Sequence, residues 1–404
     1  DRITLFIQGN ILICPEWGWQ KLVYNVSHMK RQGYPFKQVF QRFTIVLVLV
    51  TVLVSCEILP AIGSLETESP PTNQSANATL TESREVIVPP ELPSAFQTYL
   101  LNPLDTPRTY IPDTCRYLRN KWNPSNAEPG TVVMILMVNE IQKGAEGGEG
   151  ISVIEFTRTM ERLKEQGFEA INTKQFQAFM ERNVRVPPRS LLIIQDGNHD
   201  HDYMTRNYFE YWQNWGWTVV NGWVSDPETS ESLLLENIVL ESEGWVDHQA
   251  QGMTPTARLS DETAKTVIGR ELQEPLGVFS NWYGKRPVAL IWPNGGFGYR
   301  PVEAARQLGY RLVFTSNARG PVMFNWVPLA DEYDPERPSF IPEGRINNPI
   351  MTLPRFSIND AVNALDMVRG ISKEASEYHL SNKEIEHEYY RIVCEAEYGR
   401  MPTP

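Results

Sequence analysis

The sequence predicts an α/β fold in which seven or eight parallel strands form a distorted (β/α) barrel. From Pro129 onward, short apolar runs alternate with amphipathic, helix-like stretches. Seven or eight such β-α units fit within about 240 residues, close to the size of a closed or nearly closed barrel. The chain also lacks a glycine-rich dinucleotide or P-loop motif, which would favour an open doubly wound sheet.

The predicted strands are runs of apolar residues, several of them continuous enough to be buried on both faces. The clearest is the run ending in Gln195-Asp196-Gly197, where four apolar residues precede a polar residue, a carboxylate and a glycine. In chain order, the strands are predicted at 131–138, 169–172, 190–196, 218–224, 245–248, 288–292, 311–315 and 351–356.

The predicted helices lie between most of these strands. Thr173 and Asp261 occupy expected N-cap positions, and Gly167 and Gly309 follow expected helix ends. The helices are predicted at 152–166, 173–182, 203–215, 228–243, 261–283 and 299–308.

Composition excludes one class of partner. The chain has 404 residues, of which 41% are hydrophobic and 21% charged, as expected for a globular domain with a sizeable core. Its net charge is -12, and no basic block offsets it. Because nucleic-acid binding depends on neutralising phosphates, we expect no nucleic-acid partner.

The N-terminal region predicts export. Residues 43–54 are all apolar or Thr, follow the basic residues Lys30, Arg31, Lys37 and Arg42, and precede Ser55-Cys56. This run is short for a bilayer span and is typical of a secretory signal over 29–55, with an uncleaved anchor helix as the alternative. Residues 1–28 precede Met29 and are interpreted as a non-native upstream extension.

Residues 53–56, Leu-Val-Ser-Cys, resemble a bacterial lipoprotein signal. The resemblance implies that Cys56 is lipidated and that the protein is anchored to the membrane on the extracytoplasmic side, in the cell envelope.

The remaining chain divides by composition. Residues 56–95 predict a flexible Ser/Thr/Pro-rich tether, because they contain too little apolar surface to offset the entropy of folding. Residues 96–128 are a lead-in segment, 129–372 the barrel and 373–404 a C-terminal helix. Cys115 and Cys394 either form a disulfide or remain free thiols.

Function in a barrel collects beyond the C-terminal ends of its strands. The polar residues predicted at these ends are Asn139, Glu140, Gln195, Asp196, Asp247, His248, Asn294, Asn317, Arg319 and Arg355. Trp292 is also expected at the mouth because it ends a predicted strand, with Trp245 a weaker candidate.

The succession of these segments resembles the polysaccharide deacetylase (NodB-homology) family over residues 129 to 357. The resemblance is carried by 131–137, the helix from Ser152, Ser190 to Gly197, 245–248, 286–294, 306–315 and Leu353-Pro-Arg355. It implies a metal-dependent carbohydrate esterase that removes acetyl groups from N- or O-acetylated glycans. The implied partners are acetylated polysaccharide or peptidoglycan.

The family's reaction needs a zinc, cobalt or nickel ion held by one Asp and two His, together with a second carboxylate as base. The resemblance makes Asp196 and His248 metal ligands. Gln195 stands at the base position and cannot accept a proton, and Gly252 stands at the second His position. The sequence therefore predicts a weakened metal site.

Other residues could complete such a site. His199 and His201 follow Asp196 closely and are expected as additional metal ligands, with a solvated loop as the alternative. Glu140 and Asp247 could supply a carboxylate, and Arg355 is a further catalytic candidate. Trp292, Asn294, Asn139 and Trp245 are predicted to bind substrate.

Three functional classes follow from this sequence. The first is a deacetylase-like enzyme that hydrolyses acetamide or ester bonds, and the second is a catalytically inactive relative that binds cell-wall or exopolysaccharide glycan. The third is a glycoside hydrolase on a similar barrel, with Glu140, Asp196 and Asp247 as potential acid and base.

Overall fold

The computed structural model describes residues 5–7, 10–12, 88–142 and 150–403. The chain divides into two units, residues 1–83 and 84–404. In the first unit, strands β1 (Leu5–Ile7) and β2 (Asn10–Leu12) pair in antiparallel fashion.

The predicted signal over 29–55, the lipidation site Cys56 and the tether up to residue 87 lie outside the described residues. Among the helices of the described part of the chain, none is both long and apolar enough to cross a membrane.

The second unit is organised around a parallel sheet of eight strands. Six strands follow in the order β4, β8, β9, β10, β11, β12, with β14 on the other side of β4 and β7 beside the first half of β8. The strands of this unit are β3 (Asp105–Arg108), β4 (Val132–Val138), β5 (Ile141–Gln142), β6 (Ile151–Ser152), β7 (Glu169–Ala170), β8 (Arg189–Asp196), β9 (Val219–Trp223), β10 (Val246–Ala250), β11 (Ala289–Ile291), β12 (Leu312–Phe314), β13 (Val327–Ala330) and β14 (Phe356–Ser357).

Residues 353–357 join the two ends of the sheet. The N–H of Leu353 donates to the carbonyl of Val313 in β12, and the carbonyl of Leu353 accepts from Thr315 N–H, both at 2.9 Å. Three residues later, Phe356 pairs in parallel with Leu136 of β4. This short segment therefore connects the two ends of the curled sheet. The predicted distorted barrel of parallel strands is confirmed.

The helices flank this barrel and connect its strands. They are α1 (Thr114–Lys121), α2 (Val153–Glu165), α3 (Thr173–Arg182), α4 (His201–Trp215), α5 (Glu231–Glu243), α6 (Lys265–Val278), α7 (Tyr299–Gln307), α8 (Glu343–Ile346), α9 (Ala361–Ser381), α10 (Lys383–Tyr389) and α11 (Glu395–Tyr398). Ser152 caps α2 through a capping box with Glu155, which satisfies two otherwise free backbone N–H groups.

Helix α3 has the predicted bounds but a different N-cap, and two other helices begin at positions other than those predicted. Asn172, and not Thr173, caps α3 by accepting from Gln175 N–H. Helix α4 begins at His201, two residues before its predicted start, and Asp200 caps it. Asp261 caps no helix: α6 begins at Lys265, and Asp261 instead accepts from the N–H of Arg300 at 2.8 Å. Ala264 precedes α6, so this helix has no side-chain N-cap.

The alternation of side chains along β8 positions the functional region. Leu192 and Ile194 pack with β9, β11 and β12 residues inside the barrel, whereas Leu191 and Ile193 pack beneath the outer helices. Because successive side chains point to opposite faces, Asp196 continues the inner row and Gln195 the outer one. The two adjacent residues therefore belong to different environments.

Strand β10 is longer than predicted and shifts the expected site. The expectation was a strand ending at Asp247-His248, but β10 runs from Val246 to Ala250 and pairs with β9 along its whole length. Asp247 and His248 are thus within the strand, and Gln251 is the first residue beyond its C-terminal end. The polar residues within the strand concealed its length.

A disulfide ties the lead-in segment to the C-terminal region. Of the two alternatives from sequence, the structure contains the Cys115–Cys394 disulfide, with a Cα–Cα distance of 5.4 Å. Cys115 lies in α1, and Cys394 ends a π-helical turn, Tyr390–Cys394. The C-terminal region is segmented into the end of α9, then α10, this turn and α11, where a single helix over 373–404 was expected.

The disulfide spans 279 residues of sequence, so opening it should release a large restriction on the unfolded chain. We expect the Cys115→Ala/Cys394→Ala variant to lose about 2–4 kcal/mol of unfolding free energy, measured by urea titration. Dithiothreitol should lower the stability of the wild-type protein by a similar amount and leave that of the variant unchanged. Labelling of both cysteines by a thiol reagent in the folded, unreduced protein would contradict the pairing.

Candidate functional site

A cleft of about 820 Å³ opens at the C-terminal ends of the barrel strands. Its walls come from loops that follow different strands, and they carry carboxylates, amides and arginines. The predicted residues among the lining are Asn139, Asp196, Trp292, Asn294 and Arg355. This cleft is the candidate site because the inner faces of the strands converge there.

An ion pair occupies the floor of the cleft. The guanidinium of Arg355 donates to both carboxylate oxygens of Asp196, at 2.6 and 3.0 Å, in a bidentate arrangement. Its Nε donates to the carbonyl of Thr315 at 2.6 Å. Arg355 is only 1% exposed, so its position is fixed. Asp196, predicted as a metal ligand, has both oxygens engaged by Arg355.

Gln195 is fully buried outside the barrel wall. Its carboxamide nitrogen donates towards the carbonyls of Val138 and Asn139 at 3.1 and 3.0 Å. Its oxygen accepts from the hydroxyls of Tyr203 and Tyr208 at 3.2 and 2.7 Å. A carboxylate would place one anionic oxygen against backbone carbonyls, which cannot donate to it. The surroundings therefore fit an amide and not a base.

His199 turns back beneath the cleft floor. Its Nε2 lies 2.9 Å from Nε2 of Gln195 and 3.0 Å from the carbonyl of Asp196. The imidazole stacks on Tyr203 with a centroid separation of 3.9 Å. Burial lowers the pKa of His199 and favours the neutral ring. The nitrogen that could have bound a metal instead meets the Gln195 amide and the Asp196 backbone.

His248 faces helix α5 and not the cleft. Its Nδ1 lies 3.0 Å from the carboxylate of Glu241, and its Nε2 lies 2.9 Å from the side-chain oxygen of Asn237. The residue is fully buried. Since both nitrogens are engaged on the outer side of β10, neither presents a lone pair to Asp196. The prediction of His248 as a metal ligand was therefore wrong.

Asp247 and Trp245 also lie away from the cleft, because both precede the middle of β10. Asp247 pairs with Lys285 at 2.5 Å, and Lys285 also contacts Glu241 at 2.6 Å. Trp245 is buried in the outer core and donates its indole N–H to Glu243 at 2.8 Å. Neither residue can be the predicted catalytic or sugar-binding group at the mouth.

The predicted residues near the mouth differ in availability. Trp292 is 1% exposed and donates its indole N–H to Met351, so it forms part of the floor and offers no open ring face. Asn294 is exposed, and its Nδ2 holds the carbonyls of Pro255 and Ala257. Glu140 is half-buried and is not among the lining residues.

The donor set does not fit a divalent metal ion. Asp196 is bound to Arg355, His199 to the Gln195 region and His248 to α5. His201, the fourth predicted ligand, begins α4, where its Nδ1 lies 3.4 Å from the hydroxyl of Thr205. Within the described residues, no group of three or more His, Cys, Asp or Glu side chains is arranged to hold a metal.

Gly252, at the family's second histidine position, is enclosed. Its φ is +89°, and a Cβ there would lie 2.8 Å from Cγ of Pro293 and 3.1 Å from Oε2 of Glu271. Such a φ disfavours any side chain, and the proline ring cannot move aside as a flexible side chain would. A histidine could not enter this position without a backbone change.

Sequence reasoning missed seven polar residues that line the cleft: Asn198, Asp226, Glu228, Thr229, Gln251, Arg258 and Ser316. Gln251 follows the true end of β10, and its side-chain oxygen accepts from Gly197 N–H at 2.8 Å. A two-residue extension of the predicted strand would have identified it. Asp226 and Glu228 lie shortly after β9, whereas Arg258 lies in a loop with no motif.

The glycine at 252 provides a test of the site's divergence. Gly284 is a matched control, because its φ is +63° and a Cβ at that position would have nothing within 4 Å. Both Gly→Ala changes should show the positive-φ cost of about 1–2 kcal/mol. We expect Gly252→Ala to lose roughly 1–3 kcal/mol more through its contact with Pro293, measured by urea unfolding. Equal losses of unfolding free energy in the two variants would contradict the close contact between position 252 and Pro293.

Comparisons with solved structures returned polysaccharide deacetylases. The Streptococcus pyogenes deacetylase PplD in complex with acetate has 13% identity and a TM-score of 0.47, covering 59% of this chain and 98% of its own. IcaB from Ammonifex degensii has 12% identity and a TM-score of 0.45, covering 61% and 98%. The BpsB deacetylase domain from Bordetella bronchiseptica has 12% identity and a TM-score of 0.41, covering 56% and 96%.

No protein-family model matches the chain, and no curated protein matches it in sequence. At these identities and TM-scores, the structural matches transfer no fold, site residue or activity to this chain. The chain's own strand pairing shows a curled barrel of parallel strands.

Proposed function

We propose that this protein is a deacetylase-like glycan-binding protein of the cell envelope that does not carry out metal-dependent deacetylation. The observation that supports this proposal is the bidentate pair between Asp196 and Arg355. The guanidinium occupies the carboxylate that the family resemblance assigns to the metal. The second functional class from the sequence is therefore favoured over the first.

The family's reaction would require three groups at one point. A metal polarises the carbonyl, a base accepts a proton from water, and an acid protonates the leaving group. Here Gln195 stands at the base position, and its amide is held by hydrogen bonds. The candidate ligand His248 is hydrogen-bonded to a side chain of helix α5. An internal arginine cation can bind a carbonyl oxygen, but it does not bring a water to be activated.

The glycoside hydrolase alternative loses its carboxylate pair for a similar reason. It required two of Glu140, Asp196 and Asp247 to act together across a sugar ring. Glu140 is not among the residues that line the cleft. Asp196 is neutralised by Arg355, and Asp247 is bound to Lys285 in the body of β10. We therefore set this class aside.

Glycan binding is supported by the polar groups that remain available in the cleft. The side chains of Asn139 and Ser316 line it and have no hydrogen-bond partner among the described residues. Gln251 uses only its oxygen on Gly197, and Asn294 uses only its nitrogen on the 255–257 loop. These groups offer both donors and acceptors, which a neutral, hydroxyl-rich ligand can use.

The proposal is tested by measuring binding and hydrolysis in parallel. We expect the full chain to bind an acetylated chitooligosaccharide, peptidoglycan fragment or xylan with the same Kd in EDTA as in zinc, and to release no acetate. Asn139→Ala should weaken binding by about three- to ten-fold, the loss of one hydrogen bond. Asn214→Ala, an exposed change near the end of α4, is the matched control.

Two results would overturn the proposal. Acetate release that EDTA abolishes would establish a metal enzyme. Equal glycan affinities for wild type and Asn139→Ala, or the absence of binding to all three glycans, would remove the cleft as the binding site.

We also propose that the protein is anchored outside the cytoplasm through a lipid on Cys56. The support is sequence alone: basic residues, an apolar run and Leu53-Val-Ser-Cys56 in that order. We expect Cys56→Ala to move the protein from the detergent phase to the aqueous phase in Triton X-114 partitioning of bacterial cells. Cys14→Ala is the matched control. Unchanged partitioning of Cys56→Ala would argue for the uncleaved anchor helix.

A further inference from the structure

A second, smaller cavity lies at the N-terminal end of β4, opposite the cleft. Its volume is about 240 Å³, and Gly130 and Thr131 at the start of β4 form part of its wall. The other walls come from the lead-in segment, α1, the 323–326 turn and the C-terminal helices. Its aromatic lining comprises Phe96, Tyr117, Phe179, Phe324, Trp326 and Tyr378, and its polar lining includes Ser94, Thr109, Thr114, Glu128, Thr131, Asn183 and Asn325.

Lys121 and Glu386 form a buried ion pair in the wall of this cavity. The ammonium of Lys121 donates to both carboxylate oxygens of Glu386, at 2.8 and 2.7 Å. The indole N–H of Trp122 also donates to Glu386 at 2.6 Å. Each side chain of the ion pair is 5% exposed. An ammonium has three N–H donors, so one remains beyond the two that Glu386 accepts.

His379 supplies a second polar group with spare capacity. It lines the cavity, and its Nδ1 is buried with no hydrogen-bond partner among the described residues. Burial, together with the nearby charge of Lys121, lowers the pKa of His379 to about 3. The ring is therefore neutral at ordinary pH, and its Nδ1 can act as an acceptor. A buried polar atom without a partner is costly, and a ligand would relieve that cost.

We propose that this second cavity binds a small, neutral ring compound that carries a hydroxyl group. A hydroxyl can accept from the free N–H of Lys121 and donate to Nδ1 of His379, which no simple donor or acceptor can do alone. The ring would pack against Phe96 and Trp326, whose centroids lie 5.7 Å apart. A cavity of roughly 150 Å³ already holds benzene, so a substituted six-membered ring fits here.

Charge and polarity narrow this ligand class. Lys121 and Glu386 neutralise each other, and the other charged residue of the lining is the exposed carboxylate of Glu128, so an anion would meet net negative charge. A sugar ring carries hydroxyls on all sides, and those that face the aromatic residues of the wall would have no partner, although the rest of the lining includes polar side chains. The cavity therefore favours a phenol-like compound over a carboxylate or a monosaccharide.

Phenol and anisole are the probes that test this inference on the full chain. They share a ring and an oxygen acceptor, but only phenol has an O–H donor. By calorimetric titration, we expect phenol to bind about three- to ten-fold more tightly than anisole. Benzoate and methyl glucoside should both bind more weakly than phenol.

Two histidine variants locate the site. His379→Phe keeps a ring of similar size but removes Nδ1, so it should abolish the preference for phenol over anisole. His387→Phe is the matched control, because His387 also has a buried nitrogen without a partner in the described region but does not line the cavity. It should preserve the preference.

The inference is overturned if phenol does not bind the wild-type chain, or if phenol and anisole bind equally. It is also overturned if the preference survives in His379→Phe, or if benzoate or methyl glucoside binds more tightly than phenol. None of these results depends on glycan binding at the cleft.

Discussion

The ion pair between Asp196 and Arg355 determines what the cleft can do. It joins β8 to the segment that closes the barrel, because Arg355 lies between Leu353 and Phe356. Its guanidinium also holds the carbonyl of Thr315 beyond β12. One side chain therefore links the end of β8, the residue after β12 and the segment that leads into β14. A charge pair with such geometry is costly to break, because either partner would be left buried and unpaired.

The same pair explains how a barrel of this type can keep its shape without a metal. A carboxylate at the inner end of β8 needs a nearby cation when it is partly buried. A metal ion is one solution, and a bidentate arginine is another that the chain carries itself. The surrounding residues are consistent with the second solution: Gln195 is bound as an amide, His199 rests on the backbone of Asp196, and His248 serves the interface between β10 and α5.

Much of the fold could be predicted from sequence because it depends on local patterns. Apolar strands alternated with capped helices, and β8 was recognisable from its continuous apolar run before Gln195-Asp196-Gly197. Strand β10 was harder, because its sequence Val-Asp-His-Gln-Ala has little apolar character. Its length is set by pairing with β9, a tertiary effect that overrides local propensity. Ending it two residues early placed Asp247 and His248 at the mouth.

The site could be predicted in part, and the missing information is long-range. Arg355 was a candidate and does lie in the cleft, but nothing local pairs it with a carboxylate 159 residues away. Nor does sequence indicate that Gly252 adopts a φ of +89° beside Pro293. The positive φ and the contact with Pro293 together exclude a histidine side chain at position 252. The backbone conformation therefore contributes to this exclusion as well as the neighbouring side chains. A metal site of the family's type would therefore require three changes. The turn after β10 would have to move, Asp196 would have to be released from Arg355, and the groups that hydrogen-bond to the amide of Gln195 would have to be replaced. Because these three changes lie in different layers of the fold, no single substitution would assemble the family's ligand set around Asp196.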